Sequence, residues 1–458
     1  MKSIKALILL LFVVWQHFVV AQQQPVYSFQ KDDTLLKKSW AEESVKKKSA
    51  LIASLEKKTA SDYKKIYEDQ FGEIAEIWNG TRSVTSTEAH NYLQSLVKRI
   101  IAANPELKGI DARVVFSRDW WPNAFSMGDG TIVINAGLVI YMSSEAELAF
   151  VLGHELAHYY LEHTPKAIKK YIETINSEAY QAELKRLSKE TYRVNQQVEQ
   201  FAKNVVFKSH RHRRDNESES DRYAFMFMKR AGYNVEAIRT CLQLLDKVDD
   251  SLFQQPVQVQ TVFNFEAYPF KTKWIQKTSA IFAQLNEDNS PLTEKEKDSL
   301  KTHPDCSKRI EMLADSISAT GNSGKFYFVD EAGFKKLKKD FVVEMTEQCH
   351  RDKNLSRNLY YSLLLLQIEE YKPFAIYSIA RCLNEIYVAQ KDHKLGLMVD
   401  VEHKGNSDSY NLLLRMLNRL RLDEIANINY QFCSQYRATM RGYAGFEDEG
   451  RKAQTYKN

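Results

Sequence analysis

Residues 154–163 read His-Glu-Leu-Ala-His-Tyr-Tyr-Leu-Glu-His, and the first five form an HExxH core. On a helix, His154 and His158 lie four positions apart, so both imidazoles face one side and can share one metal ion. Glu155 follows the first histidine and can reach a water on that metal without being a ligand itself. A catalytic zinc site needs three protein ligands, an open position and a base. The pentapeptide supplies two ligands and the base, so a third ligand has to come from elsewhere in the chain.

The flanking residues predict a buried helix around this core. Ser144 with Glu147 three positions later reads as a capping box. Leu148, Val151, Leu152, Leu156 and Leu161 then recur at helical spacing. Gly153 leaves room for neighbouring backbone beside His154. His163 follows five positions after His158 without an HExxHxxGxxH pattern, which argues against the metzincin class.

The best source of a third ligand is the stretch Arg214-Asp-Asn-Glu-Ser-Glu-Ser-Asp-Arg-Tyr-Ala, whose continuation is helical in its apolar spacing and is capped by Gly232. Glu217 and Asp221 are four apart and share a face. One of these carboxylates can bind the metal while the other accepts the free ring N–H of a ligand histidine. Glu219 lies on a different face and is the weaker candidate.

The combination of His154-Glu155-x-x-His158, Arg214-x-x-Glu217-x-Glu219-x-Asp221 and Ala231-Gly232-Tyr233 resembles the CAAX prenyl protease/HtpX/BepA family of zinc metallopeptidases, in its soluble exported branch. Members of that family are gluzincins. The resemblance implies one Zn2+ per chain held by His154, His158 and Glu217, with Glu155 as the base and Asp221 behind the ligands. It covers roughly Thr85 to Leu313, and includes Asn123-Ala124-Phe125-Ser126, Gly130-x-Ile132, Gly137-Leu138, Thr302-His303-Pro304 and Arg309-Ile310. Arg213 stands where the family often has Ser, and Ser220 where it often has Ala; neither change removes a catalytic atom.

Three further residues enter through the same motifs. The resemblance implies that His303 can approach the zinc, as a regulatory fourth ligand or a stabiliser of the transition state. The plain alternative is a histidine packed near the site. Asn123, at the start of a hairpin just before the metal helix, is a candidate for substrate binding. Arg309 could bind a substrate carboxylate or hold Asp221.

These side chains must be positioned by a mainly α chain with a small β-sheet (α+β), a gluzincin-type core followed by a helical region. Thr87 to Ile101 reads as a helix and Ala112 to Ser117 as a short strand. Ala124–Ser126 and Thr131 to Asn135, joined by Gly128-Asp129-Gly130, make the hairpin. An edge strand beside the metal could pair with an extended peptide substrate. Residues 194–205 carry Val194, Val198, Phe201 and Val205 at helical spacing, and Ser209–Arg214 is a basic cluster. From Lys325 onward the chain is helical and aromatic-rich. Leu359–Leu364 and Ile376–Leu383 read like a tetratricopeptide-like helix pair, without a repeat clean enough to assert an array.

The 458 residues, 44% hydrophobic and 27% charged, suit a globular protein of two or three domains. The expected division is a signal peptide at 1–21, an N-terminal helical segment at 22–84, a zinc metallopeptidase domain at 85–315 and a helical, partner-binding domain at 325–458. Lys2 and Lys5 precede the apolar run Ala6 to Val14, and Val19-Val20-Ala21 places the cut after Ala21. An uncleaved N-terminal anchor is the competing reading of that run.

Removing Lys2 and Lys5 takes the formal charge from +5 to +3, with both signs interleaved, which is no footprint of a nucleic-acid binder. Five cysteines without a CxxC pair read, for most of them, as buried small hydrophobes; export leaves a disulfide open, and the odd count leaves at least one thiol unpaired or bonded between chains. The function expected is a zinc-dependent endopeptidase of exported or envelope proteins, periplasmic and at most peripheral to a membrane. The alternative is a chaperone-like assembly factor, with envelope proteins bound through the C-terminal helices. A multispanning prenyl-protein processing enzyme is disfavoured by the lack of spanning segments.

Overall fold

The computed structural model describes residues 30–56, 59–187, 215–251, 253, 255–276, 306–403 and 405–457. It is mainly α with a small mixed sheet, as the sequence predicts. Two compact units account for it: Gln30–Asp250 with Asp288–Gln348, and Ser251–Glu287 with Cys349–Asn458. Residues 306–348 therefore cluster with the first unit, and residues 255–276 with the C-terminal helices.

The first unit is organised by a four-stranded sheet in the order β1-β2-β4-β3. Its strands are β1 (Ser83–Val84), β2 (Arg113–Ser117), β3 (Ala124–Ser126) and β4 (Thr131–Asn135). β2 and β4 are parallel, while β3 and β4 form the antiparallel hairpin with Phe125 opposite Val133. The turn between them needs Gly130: its φ is +97°, and a Cβ there would lie 2.2 Å from the Asp111 carbonyl oxygen. β1, absent from the sequence reading, pairs antiparallel with β2 over two residues.

Alternation along the strands gives the sheet two buried faces. Val115 and Val133 face α2 (Ala60–Asn79), which lays Tyr67, Phe71, Ile74 and Trp78 on them at helical spacing. Trp40 and Ala41 of α1 (Thr34–Ala53) pack against the same cluster. Val114, Phe116, Ile132 and Ile134 alternate with that set and are fully buried on the other side. There α3 (Thr87–Ala103) buries Tyr92, Leu93, Leu96, Val97 and Ile100, and Phe341 meets Phe116 edge-to-face at 5.0 Å.

Next in the chain come α4 (Glu145–Tyr160), α5 (His163–Ile175), α6 (Glu178–Leu187), α7 (residues 215–230), α8 (Glu236–Ser251), α9 (Cys306–Thr320) and α10 (Glu331–Arg351). α4 is buried continuously from Glu145 to Ala157. Ser144 is its N-cap by position, but the hydroxyl makes no capping bond. Glu147 instead accepts from the Ser143 N–H at 2.6 Å and from the Thr240 hydroxyl, so the predicted reciprocal box does not form.

The start of α4 is held by Glu145, which is completely buried. Its carboxylate accepts from the Tyr92 and Tyr233 hydroxyls at 2.8 and 2.7 Å, and from the backbone N–H groups of Phe328 and Val329 at 3.0 and 3.1 Å. Burial and the Glu145 charge push both tyrosine hydroxyls above their ordinary range, which keeps them donors. Glu145→Ala is expected to cost about 3 kcal/mol, because several buried donors lose their acceptor together. Chemical unfolding of the variant checks this, and a loss below ~1 kcal/mol would show that the donors find other partners.

In the second unit, α11 (Leu355–Leu365) and α12 (Lys372–Lys391) are joined by a short connection and followed by α13 (Asp408–Arg419), α14 (Leu422–Tyr436) and α15 (Ala444–Lys457). Buried polar pairs fix their register: Ser362 Oγ donates to Ser378 Oγ at 2.8 Å, and Asn384 links Asn429 to Glu449. Phe253 stacks on Tyr410 at 4.1 Å. All five cysteines of the chain are buried. No helix of the described residues is long and apolar enough to cross a membrane.

Candidate metal centre

Two helices meet at the motif. α4 presents His154, Glu155 and His158, and α7 presents Glu217, Glu219 and Asp221. They cross where Gly153 faces Ala224, and a Cβ on Gly153 would sit in ordinary contact, 3.4 Å from the Ala224 Cα. α7 ends at Gly232, whose φ of +83° lets the Tyr233 N–H return to the Met228 carbonyl at 2.9 Å.

The nitrogens and carboxylate oxygens of His154, His158 and Glu217 lie within 4.8 Å of one another, the metal-capable cluster found among the described residues. His154 Nε2 is 3.0 Å from His158 Nε2; Glu217 Oε2 lies 3.4 Å from the first nitrogen and Glu217 Oε1 3.4 Å from the second. Ligand atoms ~2.0–2.1 Å from a tetrahedral zinc stand about 3.3 Å apart along each edge. Two imidazole nitrogens and a carboxylate at those separations therefore fit Zn2+ in both geometry and donor type.

The electrostatics of the pocket favour a cation at this point. Burial works against a charged His154, yet the Asp221 and Glu217 carboxylates outweigh it and raise the imidazole to about 10. Burial likewise opposes charge on Glu217 and Asp221. His154, His158 and Arg309 hold Glu217 well below the usual carboxylate range, and Arg309 with His154 lowers Asp221. Glu155 is only 6% exposed, and burial pushes its carboxyl upward, with His158 and His154 opposing.

Behind the ligands, Asp221 Oδ1 lies 2.9 Å from His154 Nδ1. That contact places the ring proton on Nδ1 and leaves Nε2 to face His158 and Glu217. Arg309, from α9, is 3% exposed and donates to both Asp221 oxygens at 2.6 and 2.8 Å. Its Nη1 is 3.2 Å from Glu217 Oε2, off the hydrogen-bonding direction. Asn123 stands just before β3, with its carbonyl accepting from the Asn135 N–H at 3.0 Å. His303, the cluster Ser209–Arg214 and the leader segment 1–21 lie outside the described residues.

Two residues not expected at the centre belong to it. His163 opens α5, after Glu162 turns the chain through a left-handed conformation with φ 55°. Its Nδ1 is 2.9 Å from His158 Nδ1, and its Nε2 is 3.2 Å from Glu219 Oε2. The sequence signal was the histidine five positions after His158. It points to a contact only once the chain is known to reverse at Glu162. Glu219 does face away from Glu217, and that direction leads to His163.

The sequence profile of Peptidase family M48 matches residues 87–317, about half of the chain and all of the centre just described. The chain belongs to that family. Among curated proteins, residues of this chain are 38% identical over 69 positions to mitochondrial metalloendopeptidase OMA1 of Arabidopsis thaliana, covering 15% of this chain and 14% of that protein. They are 27% identical over 109 positions to the "Putative beta-barrel assembly-enhancing protease" of Vibrio cholerae serotype O1, covering 24% and 22%. The chain thus spans less than a quarter of either relative's length.

Proposed function

We propose that this protein is a zinc-dependent endopeptidase that cleaves polypeptides of the cell envelope or other exported proteins. One observation carries the reading: two imidazole nitrogens, of His154 and His158, and the Glu217 carboxylate converge within 4.8 Å, with Glu155 on the helix of the two histidines. Membership of a peptidase family supports it, as do the protease names of the two relatives. When bound, the zinc supplies a Lewis acid for the scissile carbonyl and makes a water more acidic.

The chain's own residues do the rest. Glu155 takes the proton of the attacking water and gives it to the leaving amine. Burial raises the Glu155 carboxyl towards the range in which it can both accept and return a proton. Asp221 keeps His154 oriented, and Arg309 keeps Asp221 ionised and fixed. β3 ends the sheet, paired on one side with β4, and packs beside α4. An extended substrate would add to its other edge, which presents a peptide to the metal helix in strand conformation.

The leader Met1–Ala21 supports export, with the periplasm as the compartment. A chaperone-like assembly factor is the second reading, favoured by the additional helices of residues 355–457, which lie beyond the family match. Removing the metal tests the first. A strong chelator is expected to abolish cleavage of an unfolded polypeptide, and stoichiometric Zn2+ to restore it. Cleavage that survives full chelation would end the proposal.

A further inference from the structure

We propose that His163 and Glu219 form a positioning arm for His158, matching the Asp221 arm that holds His154; the inference rests on the zinc reading above. Hydrogen-bond logic assigns the protons. His158 turns Nε2 towards His154 and Glu217, so as a ligand it carries its proton on Nδ1. That proton points at His163 Nδ1, 2.9 Å away, which must then accept. A histidine accepting on Nδ1 carries its own proton on Nε2, and the Glu219 carboxylate oxygen waits there at 3.2 Å. The Ser220 hydroxyl lies 3.4 Å from the same Nδ1.

Three of the carboxylates of α7 thus divide the work by direction. Glu217 reaches the metal position, Asp221 the back of one ligand, and Glu219 the back of the other through His163. His163 is 7% exposed and rooted at the chain reversal, so its ring can hold His158 in one orientation. The Glu219 side chain is 44% exposed, which makes its replacement safe for the fold.

The test is zinc affinity of the full chain, measured by competition with a chromophoric chelator. His163→Ala is expected to weaken binding about 10–100-fold, and Glu219→Ala by a smaller factor in the same direction. His163→Asn restores an acceptor for His158 and should recover most of the loss. In the Zn2+-loaded wild type, the His158 Nδ1 proton should appear as an exchange-protected downfield resonance that weakens in both alanine variants. Wild type that binds Zn2+ while His163→Ala and Glu219→Ala bind equally well overturns the arm alone. Wild type that binds no Zn2+ overturns the metallopeptidase reading, and the arm with it.

Discussion

Glu155→Gln is expected to lower kcat/KM for peptide hydrolysis by about 10⁴-fold while leaving Zn2+ binding intact. The amide keeps the shape of the side chain but cannot take a proton from water. His154, His158 and Glu217, whose mutual distances define the metal position, are untouched. Stability should be unchanged or higher, because burial disfavours the Glu155 charge and Gln carries none. Steady-state kinetics, metal analysis and a thermal melt on one preparation check all three points. A variant retaining a tenth of wild-type activity would remove Glu155 from the chemistry. The same variant separates the two functional readings, since normal biological function without cleavage would favour the assembly factor.

Arg309→Met should be the most damaging single change for stability. Asp221 has no exposure to solvent, and Arg309 supplies two of its hydrogen bonds and the nearest positive charge. Losing one partner of a buried ion pair typically costs about 3–5 kcal/mol, because the surviving charge is stranded. Glu217 and Asp221 would then repel each other across a site with only His154 and His158 to balance them. The deficit should be largest after chelation and partly recovered with Zn2+, since the cation replaces the missing charge. Chemical unfolding with and without metal measures it. A loss under ~1 kcal/mol in chelated protein would show that Asp221 does not depend on Arg309.

A double variant separates fold from site. Arg309→Met with Asp221→Leu removes both buried charges and should regain much of the stability. It should still bind Zn2+ weakly, because His154 has lost the acceptor for its Nδ1 proton.

Local regularities made several parts of this protein legible from residues alone. The four-residue interval of His154 and His158 belongs to one helical turn, and the apolar spacing of α3 and the alternation of β4 each belong to one element. The Ser144 box was misread because capping depends on where the chain enters the helix, and Glu147 reaches Ser143 instead. β1 was missed because a two-residue strand has no period to detect; it exists only because β2 offers it an edge. The cluster of residues 306–348 with the first unit rests on contacts such as Phe341 with Phe116 and Arg118 with Glu344, more than 200 positions apart.

Residue order alone was enough to read a helix with two histidines one turn apart, a second helix with carboxylates one turn apart, and a mainly α architecture around a small sheet. Those are properties of short stretches, governed by periods of 3.6 and 2 residues. The partner of Glu219 was legible only in the folded chain, where His163 lies 3.2 Å from its carboxylate. The tertiary structure likewise decided that Arg309 from α9 and His163 from α5 stand behind the site. Which face of α7 meets α4 depends on the crossing of the two helices, where Gly153 lies against Ala224. No interval along the chain encodes that contact.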